Sequence, residues 1–214
     1  KITHYKNLKE TYNKIQPSHI FIASDPKKNI NLIKEASLIS ENLMVEKPII
    51  LNYQNLLDND NLGNKNIIVK EAMMYKYNFL NIFLKKRKKI MQDLKEIKVN
   101  YILPVENLKY DKSFRNKPGI ENSMLFDVGC YIYDFIWSFE IPYEKLFVYE
   151  MKFFNDGKPK FLFLKSNDKN KKKKLTFKFG YGKKYINQVE IISKYNISYK
   201  LSPFFYGRKS NVNI

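Results

Sequence analysis

Two short apolar runs joined by an amphipathic segment most strongly constrain how this chain can fold. Residues 19–23 and 43–45 are mainly apolar runs typical of buried parallel strands. Between them, residues 29–42 repeat apolar side chains at helical spacing, which predicts a helix. Residues 66–69 form another short apolar run. Because a strand–helix–strand crossover is right-handed almost without exception, the sequence predicts a parallel α/β sheet early in the chain.

The tetrapeptide Val45-Glu46-Lys47-Pro48 lies where the second predicted strand ends. Proline fixes its own φ and disfavours helical geometry at the residue before it, so we expect Lys47 to leave the strand in an extended conformation. The third strand likewise runs into charged and hydroxyl-bearing residues over 71–77. Open α/β sheets bind ligands at the edge where such strands end. A cleft lined by Lys47 is therefore one interpretation, and a surface Glu–Lys pair before a turn is the other.

The second half of the chain carries a different pattern. Apolar residues at helical spacing predict an amphipathic helix over 79–97 and a mostly buried helix over 122–137. Alternation predicts a strand over 99–103, and turns are predicted at 155–157 and 180–182. Further short strands are predicted at 146–154, 161–165, 175–179, 188–192 and 196–201. Such short connections favour antiparallel hairpins.

One face of the helix predicted over 122–137 is a candidate site. Asp127, Tyr131 and Asp134 are separated by four and three residues, so a continuous helix would place them on one side. Carboxylates and a phenol are costly to bury in a core without partners, and buried polar groups of this kind often mark functional sites. The alternative is a helix end whose acids and hydroxyl reach solvent.

Charge and cysteine usage bound the class of protein. The 214 residues carry a formal charge of +18, yet arginine occurs only at Arg87, Arg115 and Arg208. Specific nucleic-acid readers use arginine for bidentate contacts, so we do not expect nucleic acid as the partner. Cys130 is the single cysteine, which excludes an internal disulfide and a multi-cysteine metal site. With no apolar run of about 20 residues and no secretory signal, we expect a soluble cytoplasmic protein without a membrane partner.

Five stretches, taken in order, resemble the glucose-fructose oxidoreductase and inositol dehydrogenase family (Gfo/Idh/MocA) of nicotinamide-dependent oxidoreductases. They are IFIASDP at 20–26, VEKP at 45–48, EAMMYKY at 71–77, MLFDVGCY at 124–131 and FGYGKKYINQ at 179–188. Each is short. Their order and spacing across nearly the whole chain make the resemblance specific.

The resemblance implies an α/β plus α+β fold. It implies an incomplete Rossmann-like parallel sheet over residues 1–72 and a substrate and dimerisation domain over residues 73–214, with an open, mainly antiparallel sheet. It implies NAD or NADP as cofactor and oxidation or reduction at the CH–OH group of a sugar, a sugar derivative or a nucleotide sugar. It also implies a homo-oligomer formed through the second sheet.

The resemblance also implies roles for individual residues. Lys47, Tyr131 and Asp127 would be catalytic. The cofactor would contact Ser24, Pro26, Asn29, Glu46 and Lys47, and the substrate would contact Tyr75, Lys76, Arg115, Asp127 and Tyr131. Tyr131 would accept the hydroxyl proton, Lys47 would lower the pKa of that phenol by its charge, and Asp127 would orient the pair. We therefore expect Lys47 and Tyr131 to meet across one crevice.

Two departures from the family pattern leave a second interpretation open. The sequence contains no Gly-x-Gly-x-x-Gly turn and its first glycine is Gly63, so the usual backbone approach to a pyrophosphate is missing. The chain resembles a copy that is incomplete at both ends. Asn29 stands where the family has histidine; it can hydrogen-bond a ribose or nicotinamide but cannot act as an acid or base near neutral pH. The alternative is a non-catalytic relic, a dimerisation or binding module that has lost cofactor binding.

Overall fold

The computed structural model describes residues 10, 14–49, 66–105, 115, 117, 119–166, 173–205 and 211–213. They belong to two compact units, Lys1–Met73 and Met74–Ile214. Within the described residues, no helix is both long and apolar enough to cross a membrane.

The first unit contains a three-stranded parallel sheet in the order β1-β2-β3. Its strands are β1 (His19–Ile22), β2 (Asn42–Val45) and β3 (Ile68–Glu71), and β1 leads through a short 3-10 helix at Pro26–Lys28 into α1 (Asn29–Ser37). The predicted parallel strands and crossover helix are confirmed. Helix and sheet share a core of buried residues: Ile22, Ile33, Ala36, Leu43 and Val45. Burying an aliphatic side chain of valine or isoleucine size contributes about 1.5–3 kcal/mol, so this small core holds α1 against the sheet.

The second unit contains a seven-stranded sheet in the order β10-β9-β8-β4-β7-β6-β5. Its strands are β4 (Leu94–Pro104), β5 (Leu146–Phe153), β6 (Pro159–Ser166), β7 (Lys174–Gly182), β8 (Ile186–Ser193), β9 (Ser198–Ser202) and β10 (Asn211–Asn213). Its helices are α2 (Phe79–Lys86), α3 (Lys88–Gln92), α4 (Met124–Asp127) and α5 (Gly129–Ser138), with short 3-10 helices at Met74–Tyr77, Ile120–Asn122 and Tyr143–Lys145. β4 pairs parallel with β7 and antiparallel with β8. The other pairs are antiparallel, so the predicted fold class is confirmed.

The helix predicted over 79–97 is wrong beyond residue 92. Arg87, with φ −111° and ψ 56°, separates α2 from α3, and the chain enters β4 at Leu94. Leu94 and Ile97 are spaced as in a helix, but both are buried in the strand instead. β4 is the central strand with partners on both sides, and this pairing outweighs the local helical pattern.

The turn predicted at 180–182 is also wrong, because these residues end β7. Gly180 has φ +132°, and a Cβ at that position would lie 2.4 Å from the Lys160 carbonyl oxygen of the neighbouring strand β6. A positive φ and a close backbone neighbour both require glycine. The glycine that suggested a turn therefore serves close strand pairing.

Candidate functional site

The carboxyl edge of the parallel sheet brings together several predicted cofactor residues. Hydrogen bonds continue past the strand ends: Glu46 N donates to Ile22 O at 2.9 Å and Ala72 N donates to Val45 O at 2.8 Å. Ser24 and Lys47, which follow β1 and β2, are both half-buried. This edge is where open α/β sheets bind ligands. The first unit therefore presents a hydroxyl and an ammonium group at the expected place.

The loop after β2 is fixed by two carboxylates. Glu46 Oε2 accepts a hydrogen bond from Lys47 N at 3.2 Å, and Glu71 Oε1 accepts one from Ile49 N at 2.9 Å. Pro48 is buried, and the Lys47–Pro48 peptide bond is cis, which the sequence interpretation did not foresee. Glu71 was also missed as a loop contact; its position at the end of a strand was the available signal.

Asn29 lies inside the unit rather than on its surface. Its side chain is completely buried, and Oδ1 accepts a hydrogen bond from Ser24 Oγ at 2.7 Å. Nδ2 donates to Glu46 O at 3.2 Å and to Pro48 O at 3.1 Å. Both N–H groups are used within the protein, so the geometry does not support the expected contact between Asn29 and a ribose or nicotinamide. Pro26 is likewise buried, in the first turn after Asp25.

In the second unit, Asp127 is the centre of a buried hydrogen-bonded cluster. Its side chain is only 1% exposed. Arg115 donates from Nε to Oδ2 at 2.7 Å and from Nη2 to Oδ1 at 3.0 Å, and Tyr181 Oη donates to Oδ2 at 2.8 Å. Burial, followed by the nearby Asp127 charge, raises the pKa of Tyr181 above its ordinary value. The structure thus joins Asp127 and Arg115, two predicted site residues, to each other, and adds Tyr181, which the sequence interpretation missed.

The Arg115 segment has a second attachment. Lys158, the residue immediately before β6, donates from Nζ to Arg115 O at 3.0 Å and to Lys117 O at 3.1 Å. The Lys158 side chain is only 9% exposed. Backbone and side chain of Arg115 are therefore both held.

Tyr131 lies in an aromatic cluster on α5. Its ring is 5.9 Å from that of Tyr75 and 5.7 Å from that of Tyr101, both edge to face, and 6.3 Å from that of Phe205. Tyr131 is 7% exposed. Burial raises the pKa of Tyr101, and the neighbouring Tyr131 raises it further, so the Tyr101 phenol stays protonated. Edge-to-face pairs of this kind fix ring orientation.

Tyr75 and Lys76 share a carboxylate partner. Tyr75 Oη donates to Asp134 Oδ2, and Lys76 Nζ lies 2.6 Å from Asp134 Oδ1. Burial, followed by the hydrogen bond to Asp134, raises the pKa of Tyr75. Tyr75 is 1% exposed, so it is mainly a core residue, whereas Lys76 keeps a third of its side chain exposed. Their predicted contacts with substrate remain predictions.

The continuous helix predicted over 122–137 is wrong. The segment divides at Val128 into α4 and α5, and the two acids have different partners. Asp127 binds Arg115 and Tyr181, whereas Asp134 binds Tyr75 and Lys76, as described above. The expected meeting of Lys47 and Tyr131 involves one residue from each unit, and it stays a prediction.

Solved structures with the same fold are known. No protein-family model matches the chain, and a search of curated proteins finds no match. The chain is similar to scyllo-inositol dehydrogenase from Lactobacillus casei with bound NAD(H) and scyllo-inositol, with TM-score 0.68 and 15% identity over 92% of this chain and 61% of that one. It is also similar to a mutant 3-ketoreductase from Actinomadura kijaniata in complex with TDP-benzene and NADP (TM-score 0.71, 10% identity, 97% and 65%).

A third similar structure is myo-inositol 2-dehydrogenase from Lactobacillus plantarum (TM-score 0.62, 15% identity, 92% of this chain and 60% of that one). The chain spans about three fifths of the length of these proteins. At such identities the similarity establishes the fold alone. The chain therefore shares the fold of these inositol dehydrogenases and of the ketoreductase over more than nine tenths of its length.

Proposed function

We propose that this chain belongs to an NAD- or NADP-dependent oxidoreductase acting on the CH–OH group of a sugar, a sugar derivative or a nucleotide sugar. The observation that carries the proposal is the fold similarity to inositol dehydrogenases and a ketoreductase over more than nine tenths of the chain. It is supported by the position of Lys47 and Ser24 at the carboxyl edge of the parallel sheet.

The residues at that edge fit part of a dinucleotide. Ser24 Oγ donates its proton to Asn29 Oδ1 and can still accept a hydrogen bond, Glu46 can also accept one, and Lys47 brings a positive charge, while buried Pro26 shapes the turn after β1. When bound, the nicotinamide supplies the hydride acceptor or donor. Asn29 supports this edge from inside instead of touching the cofactor. Because the sequence has no Gly-rich turn, these residues would hold the nicotinamide end of the dinucleotide rather than its pyrophosphate.

Oxidation of an alcohol to a carbonyl releases a hydride and a proton, so the protein must accept the proton. We assign that role to Tyr131, whose ring is fixed by its aromatic neighbours and whose phenol is an acid or base of the type dehydrogenation needs. We assign to Lys47 the supply of a positive charge, the role that the family resemblance implies. Asp127 holds the side chains of Arg115 and Tyr181 in place. Arg115 is in turn proposed to contact the substrate.

Two measurements test this function. Titration of the purified chain with NADH and with NADPH, followed by nicotinamide fluorescence, is expected to saturate. Turnover is then measured with NAD or NADP and a panel that includes scyllo-inositol, myo-inositol and nucleotide sugars. Lys47→Ala and Tyr131→Phe are expected to abolish turnover and to keep the circular dichroism spectrum. Lys34→Ala, on the exposed side of α1, and Tyr133→Phe, two residues along α5, are the matched controls. Wild-type rates in the first two variants would remove these roles.

A second candidate is a non-catalytic binding or dimerisation module. The missing Gly-x-Gly-x-x-Gly turn favours it, as do the exposed apolar side chains of the edge strand β5, which include Phe147, Val148 and Tyr149. This candidate predicts no saturable binding of either reduced nicotinamide. It also predicts a dimer by analytical ultracentrifugation, which Tyr149→Lys would weaken.

A further inference from the structure

The two carbonyl groups that flank Lys47 are held by one buried side chain. The Asn29 amide nitrogen donates to Glu46 O at 3.2 Å and to Pro48 O at 3.1 Å. Glu46 precedes Lys47 and Pro48 follows it, so the two hydrogen bonds bracket the lysine. Asn29 is the first residue of α1, whose apolar face is buried against the parallel sheet. The loop after β2 is thereby tied to a rigid element.

The two carbonyl groups determine which way the Asn29 amide is turned, and Ser24 holds it there. Both carbonyl groups can only accept hydrogen bonds, so the NH2 end of the amide must face them. Ser24 Oγ donates to the opposite end, Asn29 Oδ1, at 2.7 Å. A flipped amide would place its oxygen against two carbonyl oxygens and lose both of those hydrogen bonds. Ser24, two residues after β1, adds a third hydrogen bond that holds the amide in the orientation the carbonyl groups require.

The backbone on the far side of Lys47 is held independently. Glu71, the last residue of β3, accepts a hydrogen bond from Ile49 N at 2.9 Å. Glu46 N donates to Ile22 O of β1 at 2.9 Å. The segment from Glu46 to Ile49 is thus attached to β1, to α1 and to β3. This is more than a turn at the end of a strand needs, and the residue at its centre, Lys47, is half-buried.

We infer that Asn29 is a positioning residue that fixes where the Lys47 ammonium group acts, with Ser24 orienting its amide. The inference rests on the proposed function, in which Lys47 does chemical work. It assigns to Asn29 a role through Lys47 and no contact with cofactor or substrate. A purely structural role would change stability alone, whereas a positioning role changes the behaviour of Lys47 specifically.

The first arm of the experiment observes Lys47 directly in the full chain. Lysines are labelled by reductive ¹³C-methylation, and the Lys47 signal is assigned by its loss in Lys47→Arg. Asn29→Leu, which keeps the branching and the number of side-chain heavy atoms but removes the hydrogen-bonding groups, is expected to shift this signal, and Ser24→Ala is expected to shift it less in the same direction. Ile33→Val removes a methylene from the buried face of α1 and touches neither carbonyl, so it controls for lost stability and is expected to leave the signal in place. An unchanged Lys47 signal in folded Asn29→Leu and Ser24→Ala would overturn the inference.

The second arm uses NADH affinity in a double-mutant cycle. Asn29→Leu is expected to weaken binding about tenfold in the wild-type background and to have no further effect in Lys47→Ala, because the residue it positions is gone. Equal losses in both backgrounds would refute action through Lys47. Absence of NADH and NADPH binding by the wild-type chain would overturn the proposed function, and the Lys47 signal would still decide the role of Asn29. Asn29→His, the residue type expected from the family pattern, can donate one of the two bonds and is expected to restore part of the affinity.

Discussion

Replacing Asp127 by asparagine tests whether the buried cluster of the second unit is organised around a charge. Asp127→Asn keeps the shape of the side chain but removes the negative charge. Its two oxygens now accept two hydrogen bonds from Arg115 and one from Tyr181, at 2.7, 3.0 and 2.8 Å. An amide would turn an NH2 group toward at least one of these donors. Arg115 would then be left without its counter-ion.

The structure sets the size of the effect. Removing one partner of a buried ion pair typically costs about 3–5 kcal/mol. The Asp127 side chain is 1% exposed, but that of Arg115 is 30% exposed and can recover some hydration. We therefore expect Asp127→Asn to lower the free energy of unfolding by about 3 kcal/mol, the low end of that range. Tyr181→Phe removes one hydrogen bond to a charged acceptor and is expected to cost about 1.5 kcal/mol.

The assay is urea unfolding followed by near-ultraviolet circular dichroism, to which the buried tyrosines of this unit contribute. The double variant of Asp127→Asn and Tyr181→Phe is expected to cost less than the sum of the single changes, because both remove the same hydrogen bond. Glu150→Gln is the control: its side chain is 43% exposed, and the expected loss is under about 0.5 kcal/mol. A loss that small for Asp127→Asn would refute a buried, charge-centred cluster.

Three further outcomes follow from particular residues. Tyr75 and Tyr181 have raised pKa values in the folded protein, so above about pH 10 the unfolded chain releases protons that the folded chain keeps, and the free energy of unfolding should fall with rising pH in urea titrations. Tyr181→Phe should reduce that slope, and an unchanged slope would argue against its burial. Gly180→Ala should cost over about 3 kcal/mol or prevent folding, because its Cβ would lie 2.4 Å from Lys160 O; normal thermal stability would contradict this. Asn81→Leu should raise the free energy of unfolding by about 1–2 kcal/mol, because the buried side-chain amide of Asn81 has no hydrogen-bond partner among the described residues. A lower melting temperature would contradict this.

The carboxyl edge of the parallel sheet could be predicted from the sequence because its cause is local. Short apolar runs identify the strands, and the residues that follow each run must then lie at one edge. Lys47 was placed there on this basis, and in the structure it follows β2. Ser24 was named only through the family resemblance, and in the structure it follows β1. Asn29 could not be assigned in the same way. Its amide was evident, but its burial depends on how α1 packs on the sheet, which no local pattern records.

The second unit was predictable in its strands but not in its side-chain partners. Asp127 and Tyr181 are 54 residues apart, and only the pairing of β4 with β7 and the packing of α4 bring them together. Leu94 and Ile97 have the spacing of a helix, yet both are buried in β4, whose pairing with β8 is irregular between Leu94 and Glu96. The segment becomes a strand because β4 pairs with β7 and β8, and this pairing cannot be read from the segment's own sequence.

Buried asparagines hold a loop in each unit, with opposite polarity. Asn29 uses its NH2 end to hold two carbonyl oxygens. Asn187, which is 4% exposed, uses its oxygen to hold two N–H groups, those of Phe204 and Phe205, at 2.9 and 2.8 Å. That second turn places Phe205 5.0 Å from the Tyr101 ring, beside Tyr131. In both cases one amide fixes a turn next to a proposed catalytic residue.

The opposite polarity predicts opposite responses to the same substitution. Asn29→Asp would set carboxylate oxygens against two carbonyl oxygens and leave both without a donor, so it should cost about 3 kcal/mol. Asn187→Asp keeps an oxygen facing the two N–H groups, which stabilise the new carboxylate, and it loses the donor to Tyr185 Oη, which can rotate its own proton toward the carboxylate; the expected cost is about 1 kcal/mol. Urea unfolding of the two variants measures the difference. Both substitutions keep the shape and introduce the same buried charge, so they differ in the direction of hydrogen bonding, and similar losses would contradict a role for that direction.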